Sequence, residues 1–310
     1  MLARRLRLAM RSHLLVLGWH NVEGTWCFPS RPGWGHRGLA AQLQMLRTLA
    51  NVVPLDHALA QLKAGHPLPP RAVALTFDDG YADNLQLAAP LLQRLKLPAT
   101  FFLVTDFLSG AGAWWEELAW AFFSTTRPLL EWEGERWKLD GSVSRRSVYS
   151  MVSEQLKRRN GAARGAAVRH LVALLEPNGH GPDPGLLLDW SGAARLLDGG
   201  FAIGSHTTRH AILTQETAAD QQRDLRSSRQ LLAARLNVPI RLLAYPNGGQ
   251  QDFDATTIAA AAQAGYGAAV TTMDGFNDGT TPPFTIRRTV MYPERGPVDL
   301  VKALRHAWAG

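Results

Sequence analysis

Ala72-Val-Ala-Leu-Thr-Phe-Asp-Asp-Gly80 is the stretch from which the fold follows. Val73, Ala74, Leu75 and Phe77 form a short apolar run, the pattern of a strand covered on both faces. Gly80 permits a tight turn directly after it. Asp78 and Asp79 therefore fall at the strand's C-terminal end, where barrels and open α/β sheets place their chemistry. Two adjacent carboxylates repel each other, so one of them needs a cation.

Outward from this strand the chain alternates strand and helix. Residues 14–19 read as a first strand that ends at His20, and 21–37 as a long loop rich in Gly, Pro and Trp. Leu39, Leu43, Leu46 and Leu49 recur at helical spacing over 38–50. A short strand at 51–54 and a helix at 55–63 precede the central strand. An amphipathic helix over 81–96 follows it, broken by Pro98, and 99–104 is the next strand. This rhythm implies parallel strands joined by right-handed crossovers.

Residues 106–189 interrupt the rhythm. Trp114, Trp115, Trp120, Trp132 and Trp137 crowd their first part, 145–175 is basic, Ala-rich and helical, and 176–185 is a Gly/Pro-rich linker. They read as a helical, Trp-rich insertion packed on the main body, with the tryptophans mostly in a core. The rhythm then resumes. A helix at 190–198 has Ser191 as N-cap, and strands at 201–204 and 240–244 bracket a helix at 214–236. A helix at 252–264 stops at Gly265, strands follow at 267–272 and 284–288, and a helix closes at 298–308. The expectation is an α/β fold, a (β/α) barrel of about seven strands. It forms one catalytic domain over 1–310 with an insertion at about 106–189.

The chain has 310 residues, 46% hydrophobic and 19% charged, which indicates a soluble globular protein with a sizeable core. Its net charge of +7 comes from arginines spread along the chain, a solvated surface more than a binding patch. No nucleic-acid-binding module is recognisable, so no nucleic acid is expected as a partner. The basic segment from Met1 to Arg11 is a candidate for peripheral contact with a membrane surface. The apolar run 14–19 is too short for a signal-peptide core, and no stretch is long enough to span a bilayer. The expected location is cytoplasmic or peripheral at the inner membrane face. A single cysteine, Cys27, excludes an internal disulfide framework and a multi-Cys zinc site, and reads as a bystander.

Strong metal ligands fall just after predicted strands: the pair Asp78/Asp79, then His206 and His210. In a barrel such strand ends converge at one mouth. Histidines at i and i+4 face one point if the segment makes a helical turn. One carboxylate completes a two-His, one-Asp site, which leaves positions open for water and substrate. A metalloprotease would need Glu directly after the first histidine, and Thr207 stands there instead.

Thr76-Phe-Asp-Asp-Gly80, His206-Thr-Thr-Arg-His210 and Ala244-Tyr-Pro-Asn-Gly248 resemble the first three motifs of the polysaccharide deacetylase family, the NodB-homology domain or carbohydrate esterase family 4. The resemblance runs from about residue 14 to about residue 290 and is poor over 106–189. It implies a distorted (β/α) barrel that removes N-acetyl groups from glycans with one divalent ion, zinc first and another first-row metal as the alternative. It also implies that Asp79, His206 and His210 bind the metal, and that Asp78 is the general base for the metal-bound water. Asn247 matches the position that supports the oxyanion at the Pro-Asn-Gly turn, beside Tyr245.

Two departures matter. Many members carry an arginine early in the third motif, where this chain has Ala244. The resemblance to the subset with Ala-Tyr-Pro-x-Gly puts the arginine on a later strand, with Arg288 first and Arg287 second. There it would orient Asp78 and keep it ionised. The late Leu-x-His motif that supplies the acid is missing, since His306 falls in the closing helix. Trp19-His-Asn-Val22 resembles the Tyr-His-x-Val segment of the same subset and nominates His20 as general acid. The expected substrate is an N-acetylated polymer, oligomer or lipid-linked sugar. The alternatives are a hydrolase of a small non-sugar amide on the same barrel and an inactive glycan-binding protein.

Overall fold

In the strand at Ala72–Phe77 all six residues are buried. It lies inside the sheet, paired along its whole length with the first strand, from Leu14↔Ala72 to Trp19↔Phe77. The computed structural model describes residues 13–308, with side chains through 304. The basic segment Met1 to Arg11, nominated for membrane contact, lies outside the described residues.

The strands are β1 (Leu14–Trp19), β2 (Asn51–Val52), β3 (Ala72–Phe77), β4 (Thr100–Leu103), β5 (Leu129–Trp132), β6 (Glu135–Lys138), β7 (Ala202–Ser205), β8 (Leu242–Ala244), β9 (Ala268–Val270) and β10 (Thr289–Val290). Seven of them run in the order β10-β1-β3-β4-β7-β8-β9, all parallel. Short β2 pairs with the start of β3, on the edge where β4 pairs with its end. The sheet curls toward closure through residues 286–290: Ile286 bridges to Val270 of β9, and Thr289 pairs with Leu17 of β1. The expected strand at 284–288 is thus reduced to one bridge, with β10 shifted beyond it. The reason is Arg288, whose N–H donates to Met273 O and not to a neighbouring strand.

The two faces of the strands divide by parity. Leu14 and Val16, Ala72 and Ala74, Phe102, Leu242 and Ala244, Ala268 and Val270, and Ile286 share an inner cluster. Leu15, Leu17, Val73, Leu75, Phe77, Phe101, Leu103, Leu243 and Ala269 face the surrounding helices. The same alternation carries Gly18 and His20, Thr76 and Asp78, Gly204 and His206, and Arg288 along the inner face toward the strand ends. The curled sheet therefore changes from apolar to polar along its own interior.

The helices are α1 (Trp34–Leu49), α2 (Leu55–Lys63), α3 (Ala89–Leu95), α4 (Thr105–Leu108), α5 (Trp114–Ser124), α6 (Ser142–Lys157), α7 (Gly161–Leu175), α8 (Trp190–Asp198), α9 (Ala218–Leu236), α10 (Ala255–Ala264) and α11 (Pro297–Trp308). Several starts differ from the sequence reading. Helix α1 begins inside the expected loop, because Glu23 accepts the N–H groups of Gly33 and His36 and so supplies its N-terminal acceptors. Asp189, not Ser191, caps α8 by accepting from Gly192 N. The helix expected over 81–96 opens with a π turn at Asn84–Ala88, closed by Ala89 N to Asn84 O, before α3. Thr217 caps α9, so that helix starts after a separate 3₁₀ turn at Leu213–Gln215.

The insertion is helical as expected, but it also holds a β-hairpin, β5–β6. Glu133 and Gly134 both have positive φ, 50° and 83°, as a two-residue hairpin turn demands. The single helical stretch 145–175 is two helices, because Asn160 accepts from Ala163 N and starts α7 afresh. Leu118, Phe122, Trp132, Val152, Leu156 and Leu171 form part of the insertion's own apolar cluster. Trp115 and Trp132 are buried, whereas Trp114, Trp120 and Trp137 are half-buried.

Candidate active site

The turn after β3 is built for its two carboxylates. Asp78 N–H still donates to Trp19 O of β1, so its side chain keeps the inner orientation of the strand. Asp79 then takes a left-handed φ of 68° and Gly80 one of 80°, and Gly80 N–H closes back on Asp78 O at 2.8 Å. A non-glycine residue held there is uncommon and points to a local requirement. The reversal sends the two carboxylates in different directions.

Asp78 is gripped by Arg288. Nη1 donates to Oδ1 at 2.7 Å and Nη2 to Oδ2 at 2.6 Å, a bidentate pair with both residues buried. Arg288 also donates to Thr76 Oγ1 and, through Nε, to Thr271 O. Its stem lies over Gly18, where a Cβ would come within 2.9 Å of Arg288 Cδ. Burial alone would raise the pKa of Asp78, but the charges of Arg288 and His206 outweigh it and hold the group below the usual carboxylate range. Arg287, the second choice, is exposed and donates to Asp274 O.

Asp79 faces the histidines. Its Oδ1 lies 3.4 Å from His206 Nε2 and 3.4 Å from His210 Nε2, and it is buried with no hydrogen-bond partner. The ligand atoms of the three residues lie within 4.8 Å of one another. The two histidines do not meet by a helical turn, as the i, i+4 reading supposed. The segment is a tight turn with positive φ at Thr207 (69°) and His210 (51°). Asp224 of α9 holds it by accepting from Thr208 N.

Each imidazole is fixed by its surroundings. His206 Nδ1 lies 2.8 Å from Ala244 O, which assigns the proton to Nδ1 and turns a free Nε2 toward Asp79. The His210 ring packs against Trp115, centroids 4.6 Å apart. Burial pushes His210 down to about 3, so it is a neutral imidazole. Burial opposes protonation of His206 as well, but Asp78 and Asp79 outweigh it and raise its pKa. Burial likewise works against ionised Asp79, and the histidines still hold it well below the carboxylate range.

This set fits a divalent cation. Of the two buried carboxylates only Asp78 is paired with an arginine, and Oδ1 of Asp79 is left unpaired between two imidazole nitrogens. Two ligands of a tetrahedral ion held at about 2.0–2.1 Å stand about 3.4 Å apart. That is the separation from Asp79 Oδ1 to each histidine.

The site opens into a cleft of about 250 Å³. His20 and Phe28 from the loop after β1 line it, with Asp79, His210 and Asn247. Trp114 and Trp115 of α5 and Tyr149 and Lys157 of α6 form the facing wall. His20 is half-buried, and its carbonyl accepts from Asn84 Nδ2 at 2.7 Å. Asn247 has a φ of 60° in a turn closed by Gly248 N to Pro246 O. Tyr245 turns inward: its ring stacks on Phe253, its hydroxyl donates to Phe284 O, and its N–H donates to Val270 O. Its reach to the cleft is therefore through the turn that it anchors. Cys27 lines the cleft, but burial pushes its thiol up to about 12, so it is no nucleophile.

Sequence reasoning passed over the support of this cleft. Buried Glu116 accepts from Thr25 Oγ1, Tyr81 OH and Cys27 N. Tyr81 OH in turn accepts from Trp115 Nε1, so the ring beside His210 is held by a chain of hydrogen bonds. Asp83 accepts from Val22 N and Glu23 N and fixes the loop that carries His20. The signal available was a carboxylate, Glu116, inside an apolar helix. A larger cavity, about 690 Å³, opens at the opposite end of the barrel, between α2 and the starts of β8 and β9, away from these groups.

The family profile described as polysaccharide deacetylase matches residues 65–124 and 141–269. No curated protein matches the sequence. Among solved structures, a Streptococcus pyogenes deacetylase, PplD, is similar at a TM-score of 0.63 and 17% identity, over 94% of this chain and 97% of that one. The deacetylase domain of BpsB from Bordetella bronchiseptica is similar at 0.59 and 17% identity, over 90% of this chain and 96% of that one. IcaB from Ammonifex degensii is similar at 0.58 and 19% identity, over 94% and 97%. These likenesses agree with the curled parallel sheet, and the profile spans the motif turns after β3 and β7 together with β8. On that match, the chain belongs to the polysaccharide deacetylase family.

Proposed function

We propose that this enzyme removes the acetyl group from an N-acetylated sugar by hydrolysis, with one divalent ion held by Asp79, His206 and His210. Zinc is the favoured ion, since two imidazoles and one carboxylate suit it. The observation that carries the reading is the unpartnered Oδ1 of Asp79, 3.4 Å from two imidazole nitrogens and next in sequence to a carboxylate clamped by arginine. When bound, such an ion polarises an acyl oxygen and lowers the pKa of water.

The chain's own residues divide the remaining work. Asp78 takes a proton from the attacking water. Arg288 occupies one lone pair on each of its oxygens, so a second remains for that proton. Arg288 also favours the ionised form of Asp78, against burial, which pushes its pKa up. His20, at the cleft wall, gives a proton to the leaving amine, which departs poorly without one. Asn247 and the turn anchored by Tyr245 support the oxygen on which charge develops.

The cleft supports a sugar as the group that enters. Its volume of about 250 Å³ is small, and Phe28, Trp114 and Tyr149 offer ring faces for a pyranose. The insertion belongs to the catalytic unit on this reading, because α5 and α6 supply one wall. Family, fold and cleft are equally compatible with a polymer, an oligomer or a lipid-linked sugar. The Streptococcus pyogenes relative was solved in complex with acetate, the product expected here. The test is acetate release from an N-acetylglucosamine oligomer by zinc-loaded protein. Release that stops with a chelator and returns with zinc is expected. No acetate from any N-acetylated sugar would overturn the reading.

A further inference from the structure

Arg164 stands in the first turn of α7, within the insertion, and is 3% exposed. Its Nη2 donates to the backbone O of His210 at 3.1 Å. Its Nη1 is buried with no partner, and its Cζ lies 5.2 Å over the Trp114 ring. Among the described residues no carboxylate pairs with it within ion-pair distance; Glu216 acts on it only from further away. Glu216 instead accepts from Gly161 N, which ties the start of α7 to the segment that follows His210. A buried guanidinium with one carbonyl acceptor and one aromatic face is poorly compensated for its lost hydration. Stability alone does not account for such a residue, since an apolar side chain of similar length would fill the space at no desolvation cost.

We infer that Arg164 is a positioning residue of the metal centre: it pins the backbone of His210 so that the imidazole meets Asp79 and His206. This inference rests on the metal reading above. His210 needs such a hold because its φ is 51°, a left-handed conformation that is uncommon for a non-glycine residue. Trp115 restrains its ring from one side, and Arg164 restrains its main chain from α7. Two insertion helices thus converge on one ligand. The consequence is that ion affinity depends on the insertion, although the insertion supplies none of the three ligands.

The test is cobalt(II) binding to the full chain, followed by visible absorption and by competition with a chelator, for wild type, Arg164→Met and Arg164→Lys. Loss of an outer-shell partner of a ligating histidine weakens metal binding about 10- to 100-fold. That loss is expected for Arg164→Met, with a changed ligand-field spectrum and partial recovery in Arg164→Lys. The metal-free Arg164→Met protein is expected to melt at or above the wild-type temperature, because a poorly compensated buried charge has been removed. Equal cobalt affinity in wild type and Arg164→Met would overturn the inference and leave the deacetylase reading standing. A metal-free Arg164→Met protein that melts lower or does not fold would mark Arg164 as a general structural residue and overturn it too. Wild-type protein that binds no cobalt would sink the metal reading itself.

Discussion

Asp78 and Asp79 are adjacent in sequence and opposite in circumstance. One is neutralised by Arg288 and the other faces two imidazoles, so one substitution can separate their roles. Asp78→Asn is expected to lower kcat by about 10²- to 10⁴-fold, the usual range for a lost general base, while zinc affinity stays near wild type. Steady-state kinetics beside a metal titration checks both halves, and undiminished turnover would remove Asp78 as base. Arg288→Met should move the acid limb of the kcat/KM profile to higher pH. The sign follows from the two opposed causes: burial raises the pKa of Asp78 and the arginine lowers it, so removing the arginine leaves burial to act. A pH–rate profile with an unmoved acid limb would show that Asp78 is not the group being read.

Among the elements, β4 and β7 pack closely in the barrel interior. A Cβ on Gly204 would lie 2.4 Å from the Phe102 ring. Gly204→Ala should therefore cost about 1–3 kcal/mol, the usual price of overpacking a core. A urea midpoint equal to wild type would show that Phe102 can move aside. The same glycine lies two residues before His206, so room for the phenyl ring and placement of that imidazole are set by one strand. The insertion tells a similar story of elements: α5 and α6 wall the cleft, and α7 reaches the turn of His210.

At the scale of the molecule, the proposed ligands Asp79, His206 and His210 join the end of β3 to the turn after β7, parts of the chain more than a hundred residues apart. An ion that binds only the folded state adds about 2.7 kcal/mol at a hundred times its Kd. Chelation should therefore lower the melting temperature, and zinc should restore it. Calorimetry with and without chelator checks this, and an unchanged transition would argue against an ion at this centre. Binding should also weaken as pH falls, because His206, whose pKa is raised, must lose its proton to bind the ion. Among the described residues no helix is long and apolar enough to cross a membrane.

What the sequence determined by itself was the order of the main elements and the strand ends at which the carboxylates and histidines stand. Continuous apolar runs marked the buried parallel strands, and the carboxylate pair and the histidines stood just after those runs, at the strand ends that converge in a barrel. Only the tertiary structure decided which arginine meets Asp78, because Arg287 and Arg288 differ in sequence by one position, yet Arg287 is exposed and donates to Asp274 O while Arg288 is buried against Asp78. It alone decided that the histidines meet through a left-handed turn and not a helical one, since that turn is held by Asp224 from the following helix and by Arg164 from the insertion. The hairpin and the cleft wall of the insertion were hidden for a related reason. Their residues pack on one another and on the barrel mouth, and local periodicity carries no record of which surfaces will meet.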